Sequence, residues 1–486
     1  MISQTANSDI EIGVNNLKDL FLSNATFKFS IPDYQRPYVW DEEKIEALFK
    51  DIAEEFKLNA LQQSYYMGAI LMHLKPGNIL EIIDGQQRIT TLLILDYILN
   101  ANNSLIKQQE HQLQLFYNSP KSQENIVRNE RYIIQNKDRF FSDVHLKAIL
   151  EKLIFTVIVT NSEDDAFVFF DTQNNRGVKL SAVDFLKSYH LKALKGENEE
   201  TEKQKIAAKA WDKSNESQFL EELFNLYLWR GRSWKGKKVE YENKDKVLFE
   251  FQKRTKPKPQ DNSITLFANN KNRLASSIHF SAKKGINMCT NNISLQANPI
   301  DYPFSLRQPI EKGMSFFLFT EKYNSLYKYI FLEKHEPKTE LFKLTYFYKS
   351  VYEASGFSHY FTDIFKLCVI QYYDKFEENR LFEFALWLDY LLGAYRIKQK
   401  SIVAQTPVKI IRDEQQNLLD IIDSAFLPDE VIEFLQTVTP NTFYETKVIG
   451  DGVQGRYAQK IASYFDLKSI SELIDKKKWI YAKLKN

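Results

Sequence analysis

Over residues 1–200 the hydrophobic residues follow, in alternating segments, the spacing typical of strands and the longer spacing typical of helices. Short apolar runs at 27–31, 65–74 and 79–83 predict strands. The Lys-Pro-Gly-Asn turn at 75–78 is expected to join the last two runs into a hairpin. A β-branched run at 153–159 is continuous enough for an interior strand. These signals predict a mixed α/β unit.

Helix starts within this unit carry recognisable caps. Asp41 is a predicted N-cap, because apolar residues follow it at helical spacing. Ser181, with Asp184 three residues later, predicts a capping box. Another helix is expected to begin within a residue or two of Asp84, directly after the 79–83 strand.

After residue 305 aromatic and aliphatic residues recur at helical spacing, as in 381–397, with few strand signals. Between the two parts, 231–260 is rich in lysine and contains prolines, which favours an exposed loop or linker. We therefore predict an α+β protein with three regions. They are a domain at 1–200, a basic linker or insert at 201–304 and a mostly helical domain at 305–486.

The composition sets limits on the partners of the chain. Of its 486 residues 44% are hydrophobic, enough for more than one core. The 65 Lys and Arg residues nearly balance the 63 Asp and Glu residues, so the whole molecule has no field that attracts nucleic acid. Any contact with DNA must therefore come from a local basic patch.

Cys289 and Cys368 lie far apart, and neither is part of a CxxC pair. A structural zinc site and a disulfide framework are therefore not expected, and two reduced cysteines are typical of a cytosolic protein. The first residues lack the segments of a signal peptide, and no run of about 18 apolar residues predicts a membrane span. We predict a cytoplasmic protein without membrane contact.

The segment Asp84-Gly85-Gln86-Gln87-Arg88 is the first candidate for chemistry. Gly85 allows a sharp turn between a strand and a helix, and the unpaired N–H groups of a first helical turn can bind a phosphate. Arg88 in that turn is favourable if an anion binds there, since its guanidinium offers a fork to phosphate. The alternative is a structural turn in which Arg88 pairs with Asp84 while the two glutamines are solvated. Composition alone slightly favours this alternative.

A second motif places Tyr34, Gln35 and Arg36 ahead of Tyr38 and Trp40. Rigid aromatics beside an Arg and a Gln can stack a base and donate to phosphate. The alternative is that the two later aromatics cover the start of the following helix, as in a hydrophobic staple.

A third motif contains Asn174, Asn175, Arg176 and Gly177. An Asn with Arg176 can complete an anion site. A helix C-cap explains the same residues, since Asn and Gly favour that position.

A lysine-rich stretch at 232–258, with Trp234 and Phe251 interleaved, is the candidate for DNA contact. A solvated charged loop is the alternative. The candidate DNA-binding residues are Lys235, Lys237, Lys238, Lys253, Arg254, Lys256 and Lys258.

The three motifs, taken together over about residues 10–200, resemble the DUF262 family, the N-terminal domain of GmrSD-type, modification-dependent restriction systems. The resemblance implies a ParB/sulfiredoxin-like fold whose DGQQR loop binds and turns over a nucleoside triphosphate. It also implies coupling of that hydrolysis to cleavage of phage DNA with modified bases or a modified backbone.

By matching position, the resemblance implies a role for ten residues. Asp84, Gln87 and Arg88 would be catalytic, and Gly85, Gln86, Tyr34, Gln35, Arg36, Asn175 and Arg176 would bind the nucleotide. The implied cofactors are a nucleoside triphosphate (GTP, ATP or another) and Mg²⁺, with an Asp that holds the ion or orients the attacking water. The metal ligands themselves are unknown.

The chain departs from many such relatives because it lacks the His-x-x-Pro opening of an HNH-like nuclease. His335-Glu336-Pro337 has the wrong spacing, and Glu242-Asn243-Lys244 is a weak match to a PD-(D/E)xK site. We predict a nucleotide-hydrolysing regulatory or sensor subunit of an anti-phage restriction system. The alternatives are a non-hydrolysing nucleotide- or DNA-binding module that recruits a nuclease, and a self-contained endonuclease. The expected partners are DNA, a separate nuclease subunit and, as an open alternative, a second copy of the chain.

Overall fold

The computed structural model places the chain in two compact units. The N-terminal unit comprises Met1–Leu191 and Gln204–Glu216, and the C-terminal unit comprises Lys192–Lys203 and Ser217–Asn486. The structure describes residues 10–24, 26–32, 35, 37–59, 64–117, 119–140, 143–162, 181–194, 199–215, 219–257, 263–267, 277–281, 285–290, 293–354, 358–399, 402–413, 416–438 and 452–485.

A mixed sheet lies at the centre of the N-terminal unit. Its described strands are β1 (Ile10–Asn16), β2 (Lys28–Ser30), β3 (Tyr65–Lys75), β4 (Ile79–Asp84), β5 (Leu113–Gln114) and β6 (Leu153–Thr160). They are ordered β1-β6-β3-β4-β2-β5. β3 and β4 form the predicted hairpin, with Lys75 opposite Ile79, and β6 is the predicted interior strand between β1 and β3.

Helices pack on this sheet around a core of aliphatic and aromatic side chains that includes Ile82, Leu92 and Phe155. These helices are α1 (Leu17–Leu22), α2 (Glu42–Asn59), α3 (Gln86–Asn100), α4 (Leu105–Gln108), α5 (Pro120–Asn136) and α6 (Asp143–Leu150). Two further helices follow in the chain, α7 (Ala182–Lys192) and α8 (Glu199–Ser214), and α8 belongs to this unit from Gln204 onward. Single turns of 3₁₀ helix follow α3 at Ala101–Asn103 and α5 at Lys137–Arg139.

Both predicted helix caps are confirmed. The Asp41 carboxylate accepts a hydrogen bond from the backbone N–H of Lys44 at 3.0 Å, which satisfies a donor at the start of α2. Before α7, the N–H of Ser181 donates to the Asp184 carboxylate at 3.0 Å, and the N–H of Asp184 donates to the Ser181 hydroxyl at 3.4 Å.

The C-terminal unit is mostly helical. Its longer helices are α9 (Met314–Phe331), α10 (Glu340–Tyr348), α11 (His359–Phe376), α12 (Leu381–Lys398), α13 (Gln405–Asp413), α14 (Leu418–Ser424), α15 (Pro428–Val438), α16 (Val453–Tyr464) and α17 (Lys476–Lys485). α12 is buried on nearly all sides, because it is apolar around its whole circumference. The predicted α+β class with a mostly helical C-terminal part is confirmed.

Residues 219–257 and 277–296, which fall in the region expected as a linker or insert, contain regular structure. Short α-helices at Phe219–Glu222, Arg230–Ser233 and Lys244–Leu248 alternate with π-helical turns at Leu223–Trp229 and Phe249–Lys253. An antiparallel sheet follows, with β8 (Gly285–Thr290) between β7 (Ser277–Ser281) and β9 (Ile293–Gln296). Two further short helical turns are Lys349–Glu353 and Ile470–Asp475, and a 3₁₀ turn lies at Pro299–Asp301.

A buried charged cluster joins three helices of the C-terminal unit. The Lys476 Nζ lies 2.6 Å from the Asp389 Oδ2 and 3.0 Å from the Tyr457 Oη, and that hydroxyl donates to the Asp389 Oδ1 at 3.0 Å. Burial lowers the pKa of the Lys476 ammonium, and Asp389 opposes that shift. Gly393 makes room for the cluster, since a Cβ there would lie 1.8 Å from the Tyr457 Oη.

No helix within the described part of the chain is both long and apolar enough to cross a bilayer.

Candidate functional site

The Asp84–Arg88 segment forms the junction between β4 and α3. Gly85 has a φ of 94° and a ψ of 0°, a left-handed conformation that favours glycine. A Cβ at this position would also lie 3.0 Å from the Ile70 Cγ1. The turn brings Gln86 directly into the first turn of α3, where backbone N–H groups have no partner within the helix. The strand, turn and helix predicted at this junction are therefore confirmed.

The Arg88 guanidinium is held by the neighbouring strand. It donates to the carbonyl oxygens of Met67 and Ala69 at 2.6 Å each and to the Asp84 carboxylate at 3.3 Å. Gly68 makes room for the guanidinium, because a Cβ there would lie 2.3 Å from the Arg88 Nη1. Arg88 thus supports an irregular part of β3, as in the structural alternative for this motif.

Gln87 joins the first motif to the second. Its Nε2 donates to the Pro37 carbonyl at 3.0 Å, and its Oε1 accepts from the N–H groups of Val39 and Trp40 at 2.9 and 3.3 Å. Gln86 and Gln87 are only 6% and 7% exposed. The expectation that both glutamines are solvated is therefore wrong, because both side chains are buried and Gln87 is hydrogen-bonded to the 37–40 segment.

The described residues of the second motif make structural contacts. The Gln35 Nε2 donates to the Ile83 carbonyl at 2.6 Å, at the end of β4. Tyr38 is fully buried, with its hydroxyl 2.7 Å from the Thr91 hydroxyl and 3.0 Å from the Asn129 Nδ2. Burial raises the pKa of Tyr38, and no face of its ring is open for stacking. Trp40 packs partly buried against the hydrophobic core.

A cavity of about 700 Å³ lies where the two motifs meet within the N-terminal unit. It is lined by Ile31, Pro32, Gln35, Pro37, Gln86, Phe116, Tyr117, Ser119, Pro120, Ser122, Gln123, Lys205, Ala208, Lys209, Asp212 and Lys213. The Gln86 Oε1 is buried and has no hydrogen-bond partner among the described residues. Of the DGQQR motif, Gln86 alone is among these lining residues.

The lysines of this cavity come from α8, a helix that carries none of the predicted motifs. Lys205, Lys209 and Lys213 follow one another at intervals of four residues, so they lie on one helix face. An ion pair between the buried Lys187 and Asp212 at 2.8 Å fixes α8 against α7. Sequence reasoning missed these residues, although their four-residue spacing is a signal that was present in the chain.

Comparison with protein families gives two matches, one after the other along the chain. Residues 17–191 match the GmrSD restriction endonuclease, N-terminal domain. Residues 203–449, half of the chain, match a family of unknown function, DUF7834. The chain belongs to the DUF7834 family. Its GmrSD-type N-terminal domain confirms the predicted resemblance and indicates a role in a restriction system. Comparison with curated proteins gave no match.

The GmrSD-type match and the compact N-terminal unit do not end at the same place. The match ends at residue 191, whereas the unit takes in Gln204–Glu216, which carries the lysines of α8. Those lysines fall within the DUF7834 match. The cavity is therefore built from residues of both family matches inside a single compact unit.

Several predicted site residues lie outside the described residues. They are Tyr34, Arg36, Asn174, Asn175, Arg176 and Lys258.

The candidate DNA-binding stretch differs from the exposed loop that was expected. Trp234 and Phe251 are buried, because they pack in the C-terminal unit, and they cannot stack on a nucleic acid. Arg254 pairs with Glu250 at 3.0 Å. The remaining described candidates are exposed, and DNA contact by them stays a prediction: Lys235, Lys237, Lys238, Lys253 and Lys256.

Within the described ranges, no group of three or more His, Cys, Asp or Glu residues is arranged to hold a metal ion. Asp212 is the carboxylate among the described lining residues of the cavity. Because Mg²⁺ is commonly bound through one carboxylate and substrate phosphates, an ion at this cavity would have to share the Asp212 carboxylate with Lys187.

Proposed function

We propose that the N-terminal unit binds a nucleoside triphosphate in the cavity beside Gln86 and hydrolyses it as the nucleotide-dependent part of a restriction system that acts on foreign DNA. The observation that carries this proposal is the Gln86 carboxamide, which is buried at the cavity with an oxygen that no described residue satisfies. An unpaired buried polar atom costs about 1–3 kcal/mol, so a ligand that pairs with it is favoured.

The residues of the cavity match the parts of a nucleotide. The first turn of α3 and the lysines of α8 favour phosphate, while Gln86 offers a donor and an acceptor to a base or a ribose. Mg²⁺, if bound, would be held by Asp212 together with phosphate oxygens and would neutralise their charge. DNA and a separate nuclease subunit are the proposed partners, as the GmrSD-type domain suggests.

The residues proposed as catalytic from the resemblance hold the site in place. Asp84 and Arg88 fix the end of β4 against β3, and Gln87 fixes the 37–40 segment. We propose that all three act through the position of Gln86 and of the α3 N-terminus, and that water approaches the nucleotide from the open part of the cavity.

A substitution at Gln86 tests this proposal. Gln86→Ala should weaken binding of ATP, GTP, CTP and UTP at least tenfold, measured by calorimetry with purified protein and Mg²⁺, because it removes the carboxamide whose oxygen has no partner among the described residues. Lys334→Gln, exposed in the other unit, is the control and should bind as the unaltered protein does. Tight nucleotide binding by a folded Gln86→Ala protein would contradict the assignment of the cavity.

A second function is favoured by one observation: the side chains of Asp84, Gln87 and Arg88 all form hydrogen bonds within the protein. This arrangement suits a module that binds a nucleotide without hydrolysing it and recruits a nuclease. Release of phosphate in a turnover assay supports the enzyme, and binding without release supports the module. Cleavage of plasmid or phage DNA by the purified chain alone with Mg²⁺ would instead indicate an endonuclease.

A further inference from the structure

We infer that α8 provides the phosphate half of the nucleotide site and Phe116 the base half, so that affinity increases with the number of phosphates on the ligand. This inference rests on the proposed function and deepens it. It assigns a ligand-binding role to a segment that lies beyond the GmrSD-type match, within the family of unknown function.

The orientation of α8 supports the phosphate assignment. Ala207 and Trp211 are buried on one side of the helix, and the Lys187–Asp212 ion pair anchors it. Since successive lysines are four residues apart, they are separated by about 6 Å along the helix axis. Their flexible stems can bring several ammonium groups to neighbouring phosphates.

The charge of the cavity wall is far from balanced, although the chain as a whole is nearly neutral. The described lining residues include Lys209 and Lys213, which form no ion pair with a described carboxylate, and the lining carboxylate Asp212 is itself paired with Lys187. A wall with these two cations and one neutralised anion favours a ligand with several negative charges, because each phosphate adds charge within reach of an ammonium group.

Phe116 gives the same cavity an apolar, aromatic surface, since its side chain lines the cavity and is 71% exposed. An aromatic ring open at a cavity offers a stacking surface to any base, worth about 1–3 kcal/mol per base. Pro32 and Pro37 add apolar surface to the same cavity, and Gln86, the first residue of α3, lines it as well. A nucleotide with its base on Phe116 leaves its phosphates for α8.

The test compares the mono-, di- and triphosphate of one nucleoside, bound to the full chain in EDTA so that no turnover occurs. In the unaltered protein each added phosphate should increase affinity about tenfold, the effect of a charge-assisted hydrogen bond. The double variant Lys209→Gln/Lys213→Gln should lose most of this increase while its monophosphate affinity changes less than threefold. Lys334→Gln and Lys468→Gln, exposed in the other unit, are the controls and should retain the increase.

Phe116→Ala completes the design, because it should weaken all three ligands by the same factor. A double lysine variant that keeps the full dependence on phosphate number would overturn the inference while leaving the proposed function intact. The same holds if Phe116→Ala leaves all three affinities unchanged. If the unaltered protein binds none of the three ligands in EDTA but binds them with Mg²⁺, the inference alone is overturned; if it binds none in either condition, the proposed function is overturned as well.

Discussion

Positive charge is used differently in the two compact units. In the C-terminal unit buried cationic side chains pair with carboxylates, as Lys476 does with Asp389, Lys322 with Asp374 and Arg232 with Glu250. In the N-terminal unit Lys187 is likewise buried against Asp212, but Lys209 and Lys213 are exposed along a cavity and form no ion pair with a described carboxylate.

The difference distinguishes charged groups that hold the helices together from charged groups that remain accessible to a ligand. A buried charge costs several kcal/mol unless it is paired, so the closed clusters of the C-terminal unit must be complete for the helices to pack. Exposed lysines at a cavity cost little without a partner, and they are therefore available to a ligand. The neighbouring glutamines repeat this contrast within one motif, since Gln87 is saturated with hydrogen bonds and the Gln86 oxygen has no partner among the described residues.

The largest effect is expected from breaking a closed cluster. Asp389→Ala should lower the free energy of unfolding by about 3–5 kcal/mol in urea titrations, because it leaves the Lys476 ammonium buried without a carboxylate. The double variant Asp389→Leu/Lys476→Met should recover much of that loss, because it removes both charges. A double variant as unstable as Asp389→Ala would show that shape, and not charge, dominates the cluster.

Arg88→Ala should have the next largest effect, on the N-terminal unit alone. The change removes hydrogen bonds to Met67, Ala69 and Asp84 and should cost about 3 kcal/mol locally. Hydrogen exchange at the amides of β3 measures this directly, and Arg88→Lys should give an intermediate rate. Unchanged exchange together with lost nucleotide turnover would assign Arg88 a direct role in the chemistry.

The two adjacent glutamines sharpen the comparison. Gln87→Ala should lower the free energy of unfolding by about 1–3 kcal/mol, because it leaves two backbone N–H groups and a carbonyl without their partner. Gln86→Ala should not lower it, since the change removes a buried side-chain oxygen to which no described residue bonds. Urea titrations of both variants side by side check the difference, and equal losses would contradict it.

The smallest effect on stability is expected for the lysines of α8. Lys209→Gln and Lys213→Gln should leave the urea midpoint unchanged, because both side chains are exposed. The dependence of nucleotide affinity on salt should nevertheless become shallower, since screening acts on the removed charges. Affinities measured at low and high salt test this, and an unchanged slope would separate these lysines from the ligand.

Local signals in the chain predicted much of the N-terminal fold. The 75–78 turn, the Asp41 cap and the Ser181 capping box all depend on residues within a few positions of each other. Gly85 was predictable for the same reason, because a sharp turn between a buried strand and a helix requires backbone freedom at one position.

Contacts between distant positions were beyond such reasoning. The Arg88 guanidinium binds carbonyls 21 and 19 residues earlier, at an irregularity of β3 that no residue pattern marks. The 231–260 segment looked like a loop because of its lysines, yet Trp234 and Phe251 within it are buried.

The sequence by itself determined the α+β class, the strand–glycine–helix junction at Asp84–Arg88 and the membership of a GmrSD-type domain, since these depend on short-range patterns and motif identity. Only the tertiary structure decided which polar groups of those motifs form hydrogen bonds within the protein. Hydrogen bonding in the folded chain satisfies Gln87 and Arg88, and it leaves Gln86 beside a cavity whose lysines come from a helix more than a hundred residues away. A polar side chain forms hydrogen bonds with the groups that lie near it in space, and the packing of the whole unit determines which groups those are.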